Sequence, residues 1–236
     1  MATLHGKIFD ATSSAPVAAK VHILDSTGHF RAPQDHVLKV GPGRPFFYCE
    51  HDFDVTLPRG SADILVERGT EYEPFLKTVH VPSNGHLDLE LPLKRWADLP
   101  SLNWYPGNTH IHYDEKEQHP HERVRLEPHV HDFNVTVVSI LQRRDLPYAS
   151  NRFPLGIMTD VSTAHHVVDI GEESRHNDEP WHMGYGHVMF LRIKNVVEPV
   201  SRGVLVSDFD PDFPPICFAC DEARDQGGIV LWCHNG

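Results

Sequence analysis

Several things are missing from this chain, and each absence closes off a class of function. No Lys/Arg cluster appears, and acidic residues outnumber basic ones by 33 to 21 over 236 residues, for a net charge of -12. Such a balance repels nucleic-acid backbones and anionic membrane surfaces, so neither is an expected partner. No segment approaches the roughly 20 apolar residues that a membrane-spanning helix needs. The N-terminus, Met1-Ala2-Thr3-Leu4-His5-Gly6-Lys7, lacks both a charged n-region and a hydrophobic h-region. No export signal is therefore expected, and the expected location is cytoplasmic.

Cysteine is scarce too: Cys49, Cys217, Cys220 and Cys233 read as reduced thiols. Cys217-Phe218-Ala219-Cys220 has redox or zinc-knuckle spacing but no second pair nearby. Two buried thiols on a helix is the simpler reading. There is no Gly-x-Ser-x-Gly elbow, no phosphate-cradling Gly-x-x-x-x-Gly-Lys segment and no dinucleotide fingerprint. Internal repeats and low-complexity tracts are also absent.

What is plentiful is histidine. Of 19 imidazoles, seven precede Trp104 and twelve follow it. The length allows one large domain or two small ones, and the rhythm of the chain favours two. Residues 1–95 show short apolar stretches at 4–9, 17–24, 53–57, 62–66, 75–81 and 87–93, separated by turn residues. In the last of these Leu87, Leu89 and Leu91 share one face while Asp88 and Glu90 face water. Asn84-Gly85 before it suits a tight hairpin with residues 78–81, and Pro58-Arg59-Gly60 marks another turn. The expectation is a small β-sandwich.

After a junction at residues 94–100, strands alternate with helices. Residues 117–129 and 217–226 fit helices, while 135–141, 166–170, 187–193 and 228–233 fit strands. The last run is continuously apolar, as in a strand buried on both faces. The expected fold class is α/β with a parallel sheet, behind an N-terminal all-β domain.

The chemistry-bearing residues lie in this second part. In an extended segment His110-Ile111-His112 places both imidazoles on one side, ready for one ion. The plain alternative is an exposed pair in a histidine-rich loop. Glu173 follows Gly171 at a strand end, where a carboxylate could bridge two ions, although Glu172, Asp178 and Glu179 also fit a merely acidic loop. His187 opens a hydrophobic strand, as a ligand or as a satisfied core residue. His234 ends the final apolar run, and the carboxyl ends of strands line the active sites of barrel-type α/β folds. Imidazoles and a carboxylate from separate segments are what a divalent-metal site requires. Arg175 and His176 could hold substrate or donate to a leaving group, and Asp114, His131 and Asp132 are further local options. Solvated loop residues are the simpler reading for Arg175 and His176.

The run Trp104-Tyr105-Pro106-Gly107-Asn108-Thr109-His110-Ile111-His112 resembles the Gly-Asp-x-His-x-His opening of PHP-type (polymerase and histidinol phosphatase) metallohydrolases. Gly171-Glu172-Glu173, Gly186-His187 and Trp232-Cys233-His234 are similar to that family's glutamate, Gly-His and strand-ending histidine elements. The closest branch is the CehA/McbA-like group, which often carries a small β-sandwich before its catalytic domain. The resemblance implies a carboxypeptidase-regulatory-like β-sandwich at 1–95 and, at 96–236, the N-terminal portion of a distorted (β/α) barrel. It implies His110, His112, Glu173, His187 and His234 as ligands of two or three divalent ions (zinc, manganese or iron), with Glu173 bridging. The implied activity is hydrolysis of a small-molecule ester-like substrate: a phosphoester, carboxylic ester or carbamate.

Two departures stand out. Asn108 replaces the usual aspartate, and the sequence ends two residues after His234, where the family continues with further ligands. The expectation is a truncated barrel whose open edge makes homo-oligomers an option. Two other classes remain open: an inactive ligand- or partner-binding module, and a metal-binding protein without catalysis.

Overall fold

The computed structural model describes residues 1–141, 148–175, 187–198, 202–203 and 212–233. The chain divides into two compact units, Met1–Pro106 with His121–Asn134, and Gly107–Pro120 with Val135–Gly236. Most of the regular structure is β-strand, with two α-helices among the described residues. None of those helices is long and apolar enough to cross a membrane.

The first unit contains β1 (Ala2–Asp10), β2 (Ala19–Leu24), β3 (Phe47–Cys49), β4 (Asp52–Leu57), β5 (Gly60–Glu67), β6 (Phe75–Val81) and β7 (His86–Leu93). One sheet has the order β4-β1-β7 and the other β3-β2-β5-β6. Strand alternation turns one apolar row of each sheet toward a shared core that includes Leu4, Val21, Phe47, Ile64 and Leu91. Fully burying an aliphatic side chain of this kind is worth about 1.5–3 kcal/mol.

Two turns do something other than expected. Gly85 has the positive φ (91°) anticipated for it, yet β6 and β7 are not a hairpin. β6 pairs with β5, whereas β7 runs parallel to β1 in the opposite sheet. The leucine face of β7 is buried by joining β1, and β6 becomes an edge strand burying little beyond Val81. Pro58-Arg59-Gly60 likewise carries the chain from one sheet to the other.

Strand β3 has only three residues and no visible alternation, because it is buried on both faces. Phe47 enters the main core, and Tyr48 packs with Ala18, Val37, Leu126 and Val130 on the other side. Leu126 and Val130 belong to helix α1 (Pro120–His131), which lies within the second part of the sequence but groups with the first unit. Pro120 at its first position suits a helix start, where the missing N–H has no helical partner to lose. Tyr48 donates its hydroxyl to Glu127 (2.9 Å), and Arg123 and His131 flank the same carboxylate at 3.5 and 3.3 Å.

Three carboxylates in this unit are held below their usual range. Burial would raise the Asp10 carboxyl, but the Ser13 and Thr12 N–H groups and the Ser13 and Tyr72 hydroxyls outweigh it. Burial likewise opposes ionisation of Glu127 and is overcome by His131, Arg123 and the Tyr48 hydroxyl. Asp25 is lowered chiefly by the Thr27 hydroxyl, helped by Arg31 and the N–H groups of Thr27 and His29. A depressed folded-state pKa stabilises the fold above the unfolded carboxylate value of about 4 and is lost as pH falls through the folded value. Urea midpoints should therefore drop steeply below about 4. A midpoint unchanged at acid pH would contradict these assignments.

The second unit contains β8 (Gly107–Ile111), β9 (Val135–Leu141), β10 (Gly156–Ile157), β11 (Val167–Arg175), β12 (His187–Leu191), the short pair β13 (Arg202–Gly203) and β14 (Asp212–Phe213), α2 (Ile216–Asp225) and β15 (Ile229–Cys233). A curled sheet has the order β15-β12-β11-β9-β8, with β10 also on β11. β8, β9 and β11 are parallel, but β12 and β15 are antiparallel additions, so the sheet is mixed rather than parallel throughout.

β15 also departs from its expected burial. It pairs with β12 at the edge of the sheet and leaves Ile229, Leu231 and Trp232 exposed by 56%, 37% and 50%. A continuous apolar run records hydrophobicity, not the number of covered faces. Helix α2 packs Ile216, Ala219 and Ala223 against Val188, Phe190 and Ile193. Its cysteines are not the buried pair expected, since Cys217 is exposed and Cys220 half-buried. Cys49, buried in the first unit, has its thiol pushed up to about 12 by burial.

Candidate metal centre

Three parallel strands bring their carboxyl ends to one edge of the curled sheet. His110 stands near the end of β8, His112 just beyond it, and Glu173 near the end of β11. His187 begins the antiparallel strand β12 and so reaches the same edge, opposite Arg175 in register.

Which face the histidines take depends on one residue. β8 pairs Asn108 with Thr136 and Ile111 with Val138, so three steps along β8 match two along β9. Without that extra residue His110 would lie beside Val138, on the face away from Glu173. The bulge moves Ile111 there instead and turns His110 and His112 to the face of Ser139 and Glu173. Asn108 Oδ1 accepts the His110 N–H (3.0 Å) within the bulge. The asparagine thus supplies the acceptor that an aspartate would offer there. Gly171, opposite Ser139, has no room for a side chain, since a Cβ would lie 2.6 Å from the Phe190 carbonyl oxygen.

Around Glu173 the geometry is close. His110 Nε2 lies 3.5 Å from Glu173 Oε2, His112 Nε2 faces the same oxygen, and His187 Nδ1 lies 2.8 Å from Oε1. The Glu173 side chain is fully buried, and those of His110, His112 and His187 are 23%, 11% and 18% exposed. His110, His112 and Glu173 offer ligand atoms that all lie within 4.8 Å of one another. Glu172 turns to the opposite face, where its Oε2 accepts the Val197 N–H at 2.8 Å.

The hydrogen bonding of His112 fixes its tautomer. Nδ1 sits 3.0 Å from the Ser139 carbonyl oxygen, which can only accept, so Nδ1 carries the proton. In the neutral ring Nε2 is then a bare lone pair. That atom is buried without a hydrogen-bond partner, and it faces a carboxylate oxygen. With the ring neutral, this nitrogen and the carboxylate oxygen offer two ligand atoms to one cation. The donor set of imidazole nitrogens and carboxylate oxygen fits zinc, manganese or iron.

Cys233 pairs with His187 across β12 and β15, and its thiol is raised by burial and by the Glu173 charge. Two contributors had no sequence signal: the Ser139 carbonyl, because any residue carries one, and Tyr148, whose ring stacks on His112. Of the other expected site residues, His176 and His234 lie outside the described residues, as does the Arg175 side chain. Asp114 caps a local turn through Lys116 N (2.9 Å). His131 and Asp132 belong to the first unit, where they anchor α1. No protein-family profile matches this chain, and no curated protein matches it in sequence.

Proposed function

We propose that the second unit binds a divalent metal ion through His110, His112 and Glu173, and that the chain is a PHP-type metal-dependent hydrolase of an ester-like bond. The observation that carries this reading is the convergence of His110, His112 and the buried Glu173 carboxylate, whose ligand atoms all lie within 4.8 Å of one another. Glu173 directs its other oxygen to His187, which suits a bridging role between two ions. A bound ion would polarise the scissile carbonyl or phosphoryl group and generate a nucleophile from water near neutral pH.

The chain's own residues supply preorganisation. The Ser139 carbonyl keeps the proton of His112 on Nδ1, and the bulge with Asn108 holds the backbone that aims His110.

Elemental mass spectrometry on protein purified without chelator or affinity histidines tests the proposal. The expected result is one to three equivalents of zinc, manganese or iron per chain, lost in His110→Ala. The same preparation should turn over a phosphoester, carboxylic ester or carbamate only when metal is present. Sub-stoichiometric metal, unchanged by His110→Ala, would overturn the reading.

A further inference from the structure

We infer that Tyr148 is a positioning residue of this centre, holding the His112 imidazole in its ligating orientation; the inference rests on the metal-site reading above. The two rings stack with centroids 5.0 Å apart and planes 23° from parallel. The hydrogen bond from Nδ1 to the Ser139 carbonyl fixes one direction within the plane of the imidazole. It does little to stop a swing of the ring out of that plane. The face of Tyr148 blocks the swing, so the two contacts together keep Nε2 directed at Glu173 Oε2.

The residue carrying that face is itself anchored to the site. Tyr148 is half-buried and leads into a 3-10 turn, Ala149–Arg152. Ala149 N donates to the Tyr113 carbonyl (2.8 Å), and the Ser150 hydroxyl accepts Tyr113 N–H (3.4 Å). Leu141 N donates to Asn151 Oδ1 at 2.8 Å. The turn is thus tied to the residue after His112 and to the end of β9, two residues beyond Ser139.

Electrostatics gives the stack a preference between metal-loaded and metal-free protein. An imidazole that ligates a divalent ion loses electron density, and the face of a phenol ring is electron-rich. The stack is therefore stronger with metal than without it, and it favours binding beyond what packing alone provides. Outer partners of ligating histidines typically carry about 10–100-fold in metal affinity.

Zinc affinity measured by competition with a chromophoric chelator tests this on the full chain, with circular dichroism as the check on folding. Tyr148→Leu should bind zinc about 10–100-fold more weakly, whereas Tyr148→Phe, which keeps the aromatic face, should bind close to wild type. If Tyr148→Leu does not fold, Tyr148→Gln takes its place with the same expected loss. Wild-type affinity in Tyr148→Leu, with zinc lost in His110→Ala, would overturn the positioning role and leave the metal site standing. An equal loss in Tyr148→Phe would overturn it too, by moving the effect to the hydroxyl. Zinc binding unchanged in every variant, His110→Ala included, would sink the metal-site reading and this inference together.

Discussion

Glu173→Gln is expected to weaken metal binding by more than about 100-fold, beyond the range that outer partners of a ligand usually command. At the same time it should leave the metal-free protein as stable as wild type or more so. The substitution keeps size and shape but exchanges one acceptor oxygen for an amide that donates. In the metal-free protein a fully buried carboxylate meets three imidazoles. A glutamine leaves no buried charge, and its N–H can point at an imidazole nitrogen. The same change removes the negative charge that a divalent ion needs.

Thermal unfolding with and without zinc separates the two effects. Wild type at about 100 times its dissociation constant should gain about 2.7 kcal/mol, while Glu173→Gln at the same zinc concentration should gain no more than about 0.4 kcal/mol over its own metal-free value. A variant that still gains this stability would remove Glu173 from the ligand set. One that fails to fold without metal would make the carboxylate a structural group instead.

How much of this was legible in the sequence differs from element to element, for physical reasons. The strands with one covered face were readable because alternation is a local property, as in Leu87, Leu89 and Leu91 against Asp88 and Glu90. Strand pairing was not. Asn84-Gly85 correctly signalled a positive φ, but a turn residue specifies backbone direction over a few residues and not which sheet the next strand joins. β3 hid because α1 covers its second face, and that contact spans about 80 residues of chain, as in Tyr48 and Glu127.

The site divides in the same way. His110-Ile111-His112 announces two imidazoles on one side, and the structure brings them together with Glu173 and His187. The face they occupy is decided by the extra residue between Asn108 and Ile111, and a shift of one residue leaves no trace in composition. The choice of Glu173 over Glu172 is likewise a matter of strand parity. Once β11 is in register, one carboxylate meets the histidines and the other takes Val197 N–H.

Arg68→Met is expected to destabilise the first unit by about 3–5 kcal/mol, because it breaks a buried ionic cluster by removing one partner. Arg68 is 8% exposed and spends its guanidinium on three acceptors at once. It donates to the Ala18 carbonyl (2.7 Å), to the His129 carbonyl and to Asp132 Oδ1 (2.5 Å). Asp132 sits just past the end of α1 with φ of 55°, a conformation usually left to glycine. Its other oxygen accepts from Arg95 at 2.6 Å, and Arg95 also holds Glu71 and the Tyr72 hydroxyl. Two arginines of the sandwich thereby hold the end of the helix. Gly69, next to Arg68, lets the backbones meet, since a Cβ there would lie 2.2 Å from the His131 carbonyl oxygen.

Methionine preserves most of the apolar stem, so lost packing contributes little. The cost comes from two carbonyls and half a carboxylate left without their donor in a largely buried setting, where each unsatisfied group costs about 1–3 kcal/mol. Arg68→Lys should recover only part of the loss, since one ammonium cannot reproduce a planar fork that reaches three acceptors. Urea unfolding followed by far-ultraviolet circular dichroism measures both variants. A cost below about 1 kcal/mol for Arg68→Met would put the cluster in the class of ion pairs that contribute nothing net. Burial of Leu126 and Val130 against Tyr48 would then be what holds α1 to the sandwich.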